Sequence, residues 1–313
     1  MARAAAKIKP APAASKTGPL PDFRHPRRDG AVFHRNPLTP LAPPDLLRPM
    51  TRIVTKAGAA RFSANLGFLW TDLPLPARIR AAASAGFDAV EFHDDAQTTD
   101  PALLRDTLSE TALPVCSLNT RMGASAGCAA LPGQEDQARR DIDAALGVAR
   151  AIGAAAVHVL AGRSDGDNAS RSAYLRALRH ALDAGEQTIL IEPLSRAAMP
   201  GYYLQDLAQA LGILQEIAHP RLKLLFDCYH IAMEGHDVAA QFAQHAARIG
   251  HVQIASVPGR NEPGTGDRLD YARLLPQMRR AGYAGAFGCE YRPVTRVEAG
   301  LGWRATLQEA LHD

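Results

Sequence analysis

Thr188-Ile189-Leu190-Ile191-Glu192-Pro193 is a short apolar run that ends in a carboxylate and a proline. A run of that length bounded by breakers reads as a strand buried on both faces, the kind that builds parallel sheets. The same form recurs downstream: Leu224-Leu225-Phe226 ends in Asp227, His251-Val252-Gln253-Ile254 carries an amide, and Phe287-Gly288-Cys289 ends in Glu290. With these, strand-like runs fall at 62–66, 89–93, 115–119, 156–161, 188–192, 222–227, 251–255 and 286–291, which makes eight. Amphipathic stretches such as 136–152, 171–184 and 204–217 lie between them. Gly86, Gly153, Gly250 and Gly282 stand where a helix C-terminus takes a left-handed residue.

Eight strand-helix units in about 250 residues have the size and order of a (β/α)₈ TIM barrel, an α/β fold. A doubly wound open sheet also alternates strand and helix, but no G-x-G-x-x-G follows the first strand, which weakens a dinucleotide-binding reading. The barrel domain is expected over 61–313. Residues 1–60 are rich in Pro, Ala and Arg without a sustained hydrophobic period, so a disordered extension is expected there, and Met50 is an alternative natural start.

That extension carries eleven Lys or Arg against Asp22, Asp29 and Asp45, a net of +8, which leaves 3 − 8 = −5 for the remainder. Its few aromatics and lack of amphipathic period argue against nucleic-acid or membrane-surface binding. No apolar run approaches the roughly 18 residues that span a bilayer, and no signal-peptide pattern is visible, so a cytoplasmic protein is expected. Cys116, Cys128, Cys228 and Cys289 form no C-x-x-C pair, which speaks against a zinc site and a disulfide framework and for reduced thiols. Cys228 and Cys289 adjoin candidate site residues, so strand alternation turns them away from the site.

In a TIM barrel the chemistry sits at the C-terminal ends of the strands. Glu192, Asp227, Gln253 and Glu290 belong to strands five to eight. Any one of them alone reads as a loop cap or a solvated side chain. Together they gather three carboxylates and an amide carbonyl at one mouth, where like charges about 4 Å apart repel by roughly 4 kcal/mol at an effective dielectric near 20. A divalent cation would neutralise them, and an all-oxygen set favours Mg²⁺ or Mn²⁺ over zinc. Glu192 and Glu290 would also form the pair that a two-base proton transfer requires.

Ile191-Glu192-Pro193, Phe226-Asp227-Cys228-Tyr229-His230, Gly250-His251-Val252-Gln253-Ile254-Ala255, Glu262-Pro263-Gly264-Thr265-Gly266 and Gly288-Cys289-Glu290-Tyr291 stand in order along the chain. With Leu131-Pro132-Gly133 and Glu298-Ala299-Gly300-Leu301, they resemble the hydroxypyruvate isomerase family of xylose isomerase-like barrels, which includes 2-oxotetronate isomerases. The resemblance spans residues 61–303. It implies Glu192, Asp227, Gln253 and Glu290 as metal ligands, with Glu192 and Glu290 as the catalytic proton-transfer pair. His230 would reach toward the substrate, or else pack under the loop after strand six. Arg260 would hold a substrate carboxylate bidentately, or else lie on the surface. His158 lines the pocket if it faces inward and is core if it faces outward. The stretch Glu91-Phe92-His93-Asp94-Asp95-Ala96 departs from the aromatic-Pro-Tyr segment usual in the family, which puts substrate size in question.

The implied activity is an aldose-ketose type isomerisation of a small 2-oxo-hydroxy acid, hydroxypyruvate to tartronate semialdehyde, through a cis-enediolate. Alternatives that use the same constellation are a 2-oxotetronate isomerase and a ketose 3-epimerase. A non-catalytic sugar-binding barrel is the alternative of a different class, and the presence of both glutamates disfavours it. Nuclease barrels of the endonuclease IV type need a histidine-rich multi-metal cluster that these strand ends do not supply. The expected partner is a small sugar acid, and a homo-oligomer is a possible state.

Overall fold

Each strand-like run is too short to stand alone, so it pairs with its neighbour and passes the chain back through a helix. In the computed structural model, which describes residues 62–264 and 267–312, that pattern closes on itself. β1 (Phe62–Asn65), β2 (Ala89–Phe92), β3 (Val115–Asn119), β4 (Ala156–His158), β5 (Thr188–Ile191), β6 (Leu222–Asp227), β7 (Ile249–Ile254) and β8 (Phe287–Cys289) pair in chain order, and β8 returns to β1 in parallel. This is the expected (β/α)₈ barrel. The extension expected over 1–60 and the alternative start at Met50 lie outside the described residues.

The helices that return the chain are α1 (Leu75–Ser84), α2 (Pro101–Thr111), α3 (Glu135–Ile152), α4 (Asn168–Ala184), α5 (Leu207–Ile217), α6 (Cys228–Met233), α7 (Val238–His245), α8 (Tyr271–Arg280) and α9 (Trp303–His312). Their sequences explain their ends. α3 buries Ala138, Ile142, Ala145, Leu146 and Ala149 along one stripe, and has Glu135 and Asp136 in its first turn and Arg150 in its last, as the helix dipole favours. α4, α5, α7 and α8 begin at Asp167, Asp206, Asp237 and Asp270, whose carboxylates accept from backbone N–H groups of the first turn. Each such cap stabilises its helix by about 1 kcal/mol.

Gly86, Gly153 and Gly282 adopt the expected left-handed backbone, with φ of 71°, 69° and 96°. Gly250 does not. The segment before it ends in a 3₁₀ turn, Ala246–Arg248, and Gly250 lies inside β7, where a Cβ would sit 2.6 Å from Cβ of Lys223. The glycine answers to the close approach of β6, not to a helix terminus.

Strand alternation divides the apolar residues in two. Ile189, Ile191, Leu224, Phe226 and Val252 join the main core under the helices, whereas Ala156, Leu190 and Leu225 form a small plug inside the barrel. Two residues beyond each plug residue, on the same inward side, stand His158, Glu192 and Asp227. Cys228 and Cys289 face the outer core as expected, and all four cysteines are free thiols. Among the described residues no helix is long and apolar enough to cross a membrane.

Candidate active site

The C-terminal mouth of the barrel holds a cavity of about 330 Å³, the size of a small-molecule site. Glu192, Gln253, Glu290, His158, His230 and Arg260 all line it. Asp227, buried at the end of β6, completes the set of seven residues expected from the sequence. His158 therefore faces inward. All seven are buried, so their polar atoms must find partners among themselves or in a ligand.

Asp227 serves two groups at once. Its Oδ1 accepts from the Tyr229 N–H at 2.9 Å and caps α6, while its Oδ2 accepts from Arg260 at 3.1 Å. Arg260 is not on the open surface. Its backbone is left-handed at φ 54° and is held by Arg260 N–H to the Ser256 carbonyl and Arg292 N–H to its own carbonyl. That turn sends the guanidinium back over the barrel mouth, where Nη2 also reaches Glu290 Oε2 at 3.0 Å. The rings of Phe68 and Tyr229 flank it at 4.9 and 4.8 Å, and its Nε is buried with no protein partner among the described residues.

His230 projects from α6 into the same mouth. Its Nδ1 accepts the Ser195 N–H at 3.0 Å, so the neutral ring carries its hydrogen on Nε2. Nε2 then faces Asp227 Oδ2 at 3.6 Å and Glu192 Oε1 at 4.0 Å as a donor. Glu192, Asp227 and His230 also form the trio whose metal-ligating atoms lie within 4.8 Å of one another. The bond from Ser195 argues that His230 serves as a hydrogen-bond donor beside an ion rather than as its ligand. Gln253 Oε1 and Glu192 Oε1 are better suited, because both are buried oxygens without a hydrogen-bond partner among the described residues.

Burial and charge drive the carboxylates apart. Glu192 is pushed well above the ordinary carboxylate range by burial, then by Glu290 and Asp227. Asp227 rises to about 7, chiefly through burial, with Glu290 adding to it and Arg260 opposing. Glu290 goes the other way. Burial would raise it, but Arg260 and His93 outweigh burial and hold it at about 2. Two imidazoles are kept neutral: burial lowers His158 to about 4, and burial together with Arg260 lowers His230 well below its usual value.

Several site residues escaped the sequence reading. His93 lies 3.6 Å from Glu290 Oε1, and Glu91 and His251 sit inside the barrel beneath Gln253. Their signal was period-two alternation. Glu91 and His93 face the same side of β2, and His251 stands two residues before Gln253.

A profile of xylose isomerase-like TIM barrels matches residues 79–308. The chain belongs to that family. Within the xylose isomerase-like barrels it is 41% identical to the 2-oxo-tetronate isomerase of Cupriavidus necator over 253 residues, 78% of this chain and 96% of that protein. It is 35% identical to the hydroxypyruvate isomerase of Escherichia coli (strain K12) over 254 residues, 78% of this chain and 97% of that one. A crystal structure described as AP endonuclease, family 2, from Brucella melitensis superposes with a TM-score of 0.74 at 32% identity, covering 79% of this chain and 98% of that one. With relatives so named along nearly their whole length, the isomerase expected from the sequence, of the hydroxypyruvate isomerase family, is borne out.

Proposed function

We propose that this chain is a divalent-metal-dependent isomerase that interconverts hydroxypyruvate and tartronate semialdehyde, or a near homologue of that pair, with Glu192 and Glu290 as the proton-transfer residues. The observation that carries the reading is the pairing of two buried glutamates, Glu192 and Glu290, on one small cavity. Arg260 stands 3.0 Å from Glu290 and favours its ionised form, so the two carboxylates are suited to separate acid and base roles. Glu290, ionised, takes the proton from C3 of hydroxypyruvate. Glu192, protonated, delivers one to C2 of the enediolate. As the carbonyl shifts from C2 to C3, the C3 hydroxyl proton passes to the C2 oxygen; one carbon-bound proton leaves and one returns, so no redox partner is required.

Glu192, Asp227, Gln253 and Glu290 fit an Mg²⁺ or Mn²⁺ ion by their chemistry: oxygen donors only, two of them buried and unpartnered among the described residues. Bound there, the ion would polarise the substrate oxygens and offset the carboxylate charge. Arg260 offers its unpartnered Nε and remaining N–H groups to the substrate carboxylate, and the aromatic walls of Phe68 and Tyr229 hold its plane. His230 donates from Nε2 to a substrate oxygen, and His158 Nδ1 lies 3.7 Å from Glu192 Oε2 on the same wall. The bury of these groups keeps bulk water from protonating the enediolate at the wrong carbon.

A 2-oxo-tetronate substrate is the second reading, favoured by the 41% identical relative of that name. Purified protein assayed with Mn²⁺ against hydroxypyruvate, 2-oxo-tetronate and neutral ketoses separates them. Turnover of an oxo acid is expected, and turnover confined to neutral ketoses would replace the acid reading with that of an epimerase.

A further inference from the structure

Gln253 can serve a cation only with its carbonyl, since its NH₂ end would repel one. An amide side chain turns over by half a rotation at almost no steric cost, so something must decide which end faces the cavity. Inside the barrel, Gln253 Nε2 donates to Glu91 Oε2 at 2.9 Å. Glu91, on β2, is buried and takes two further contacts on Oε1: the Ser63 hydroxyl donates to it, and His251 Nε2 lies 3.0 Å away without the alignment of a hydrogen bond. Donors thus approach both oxygens.

The barrel makes room for this reach. Glu91 extends from β2 past β1 and β8 to meet β7, and the β8 residue on its way is Gly288, paired with both Ser63 and Gln253. A Cβ at Gly288 would lie 2.4 Å from Glu91 Oε1 and 2.8 Å from Gln253 Cγ. The backbone of Gly288 is ordinary extended strand, so the glycine is there for space.

We infer that Glu91 is a positioning residue that locks the Gln253 amide with its NH₂ toward the barrel interior and its Oε1 toward the cavity as a cation ligand. The inference rests on the metal-dependent reading above. With Glu91 in place, a reversed amide would set carbonyl against carboxylate and leave the NH₂ facing the ion. Without it, both orientations are open, and the cation meets an oxygen only part of the time. Outer partners of this kind typically change metal affinity by about tenfold to a hundredfold.

The test is a double-mutant cycle read as Mn²⁺ affinity by titration calorimetry on the full chain. Glu91→Gln should weaken Mn²⁺ binding about tenfold or more. In a Gln253→Ala background, where no amide is left to orient, Glu91→Gln should change affinity less than about twofold. Saturating Mn²⁺ should restore turnover of Glu91→Gln with the substrate KM unchanged. An equal loss in both backgrounds, or no loss in the first, overturns the positioning role. If Glu91→Gln fails to fold, Ser63→Ala keeps the carboxylate and removes one donor, and a smaller loss that vanishes in the Gln253→Ala background is then expected; a loss that persists there overturns the inference. Wild-type protein that binds no Mn²⁺ would remove the metal reading itself, a result distinct from any change at Glu91.

Discussion

Arg260 Nη2 lies 3.0 Å from Glu290 Oε2, so the carboxylate assigned to proton abstraction is paired with a fixed positive charge. The same nitrogen also touches Asp227. Arg260 therefore supplies part of the counter-charge to this acidic mouth from within the chain. Arg260→Ala should raise KM for a 2-oxo acid by tenfold to a hundredfold, since a charge-assisted contact contributes roughly 1.5–3 kcal/mol. It should also lower the melting temperature of chelator-treated protein. Arg260→Lys should recover only part of the binding, because an ammonium lacks the planar fork. An unchanged KM in Arg260→Ala would place the carboxylate anchor elsewhere.

Glu192→Gln and Glu290→Gln should each lower kcat by orders of magnitude while leaving the circular dichroism spectrum unchanged. The amide keeps shape and an oxygen but cannot exchange the proton. Turnover within a few-fold of wild type in either variant would end the two-glutamate mechanism.

Chelation should abolish activity and lower the melting temperature, and Mg²⁺ or Mn²⁺ should restore both. Removing a ligand that binds only the folded state withdraws its linkage stabilisation. Full activity after exhaustive dialysis against a chelator is the contrary result.

The metal-free protein should show an unusual pH profile. Asp227 sits at about 7 in the fold, against about 3.9 in an unfolded chain. Between those values the unfolded chain releases a proton that the folded one keeps, so this group's contribution falls as pH rises through the window and then levels off. Glu290, at about 2, acts oppositely: its contribution is present above the ordinary carboxylate value and is lost as pH falls toward 2. Melting curves in chelator from pH 4 to 8 should therefore decline more steeply for wild type than for Asp227→Asn. Parallel curves for the two proteins would show that Asp227 does not titrate near 7.

Much of this was legible in the sequence because a barrel strand is an apolar run and its functional residue ends it. Glu192, Asp227 and Glu290 are visible on that ground alone. Glu91 is not, since it lies inside the run Ala89-Val90-Glu91-Phe92, and its partner Gln253 is 162 positions away. Only closure of the barrel brings β2 within reach of β7. The direction of Arg260 was equally hidden, because it depends on one left-handed residue in a loop, which no apolar period records.

Asp227 also starts the short helix that carries His230. One carboxylate group thus sets the register of a donor three residues on and faces the reacting centre. Truncating it to Ala would disturb the helix start and the charge cluster together, so a dead Asp227→Ala protein says little about which loss killed it. Asp227→Asn, which can keep Oδ1 on the Tyr229 N–H, separates anchoring from charge. The helix and the site are in this sense a single unit of inheritance: α6 cannot drift in angle without moving His230 against the substrate.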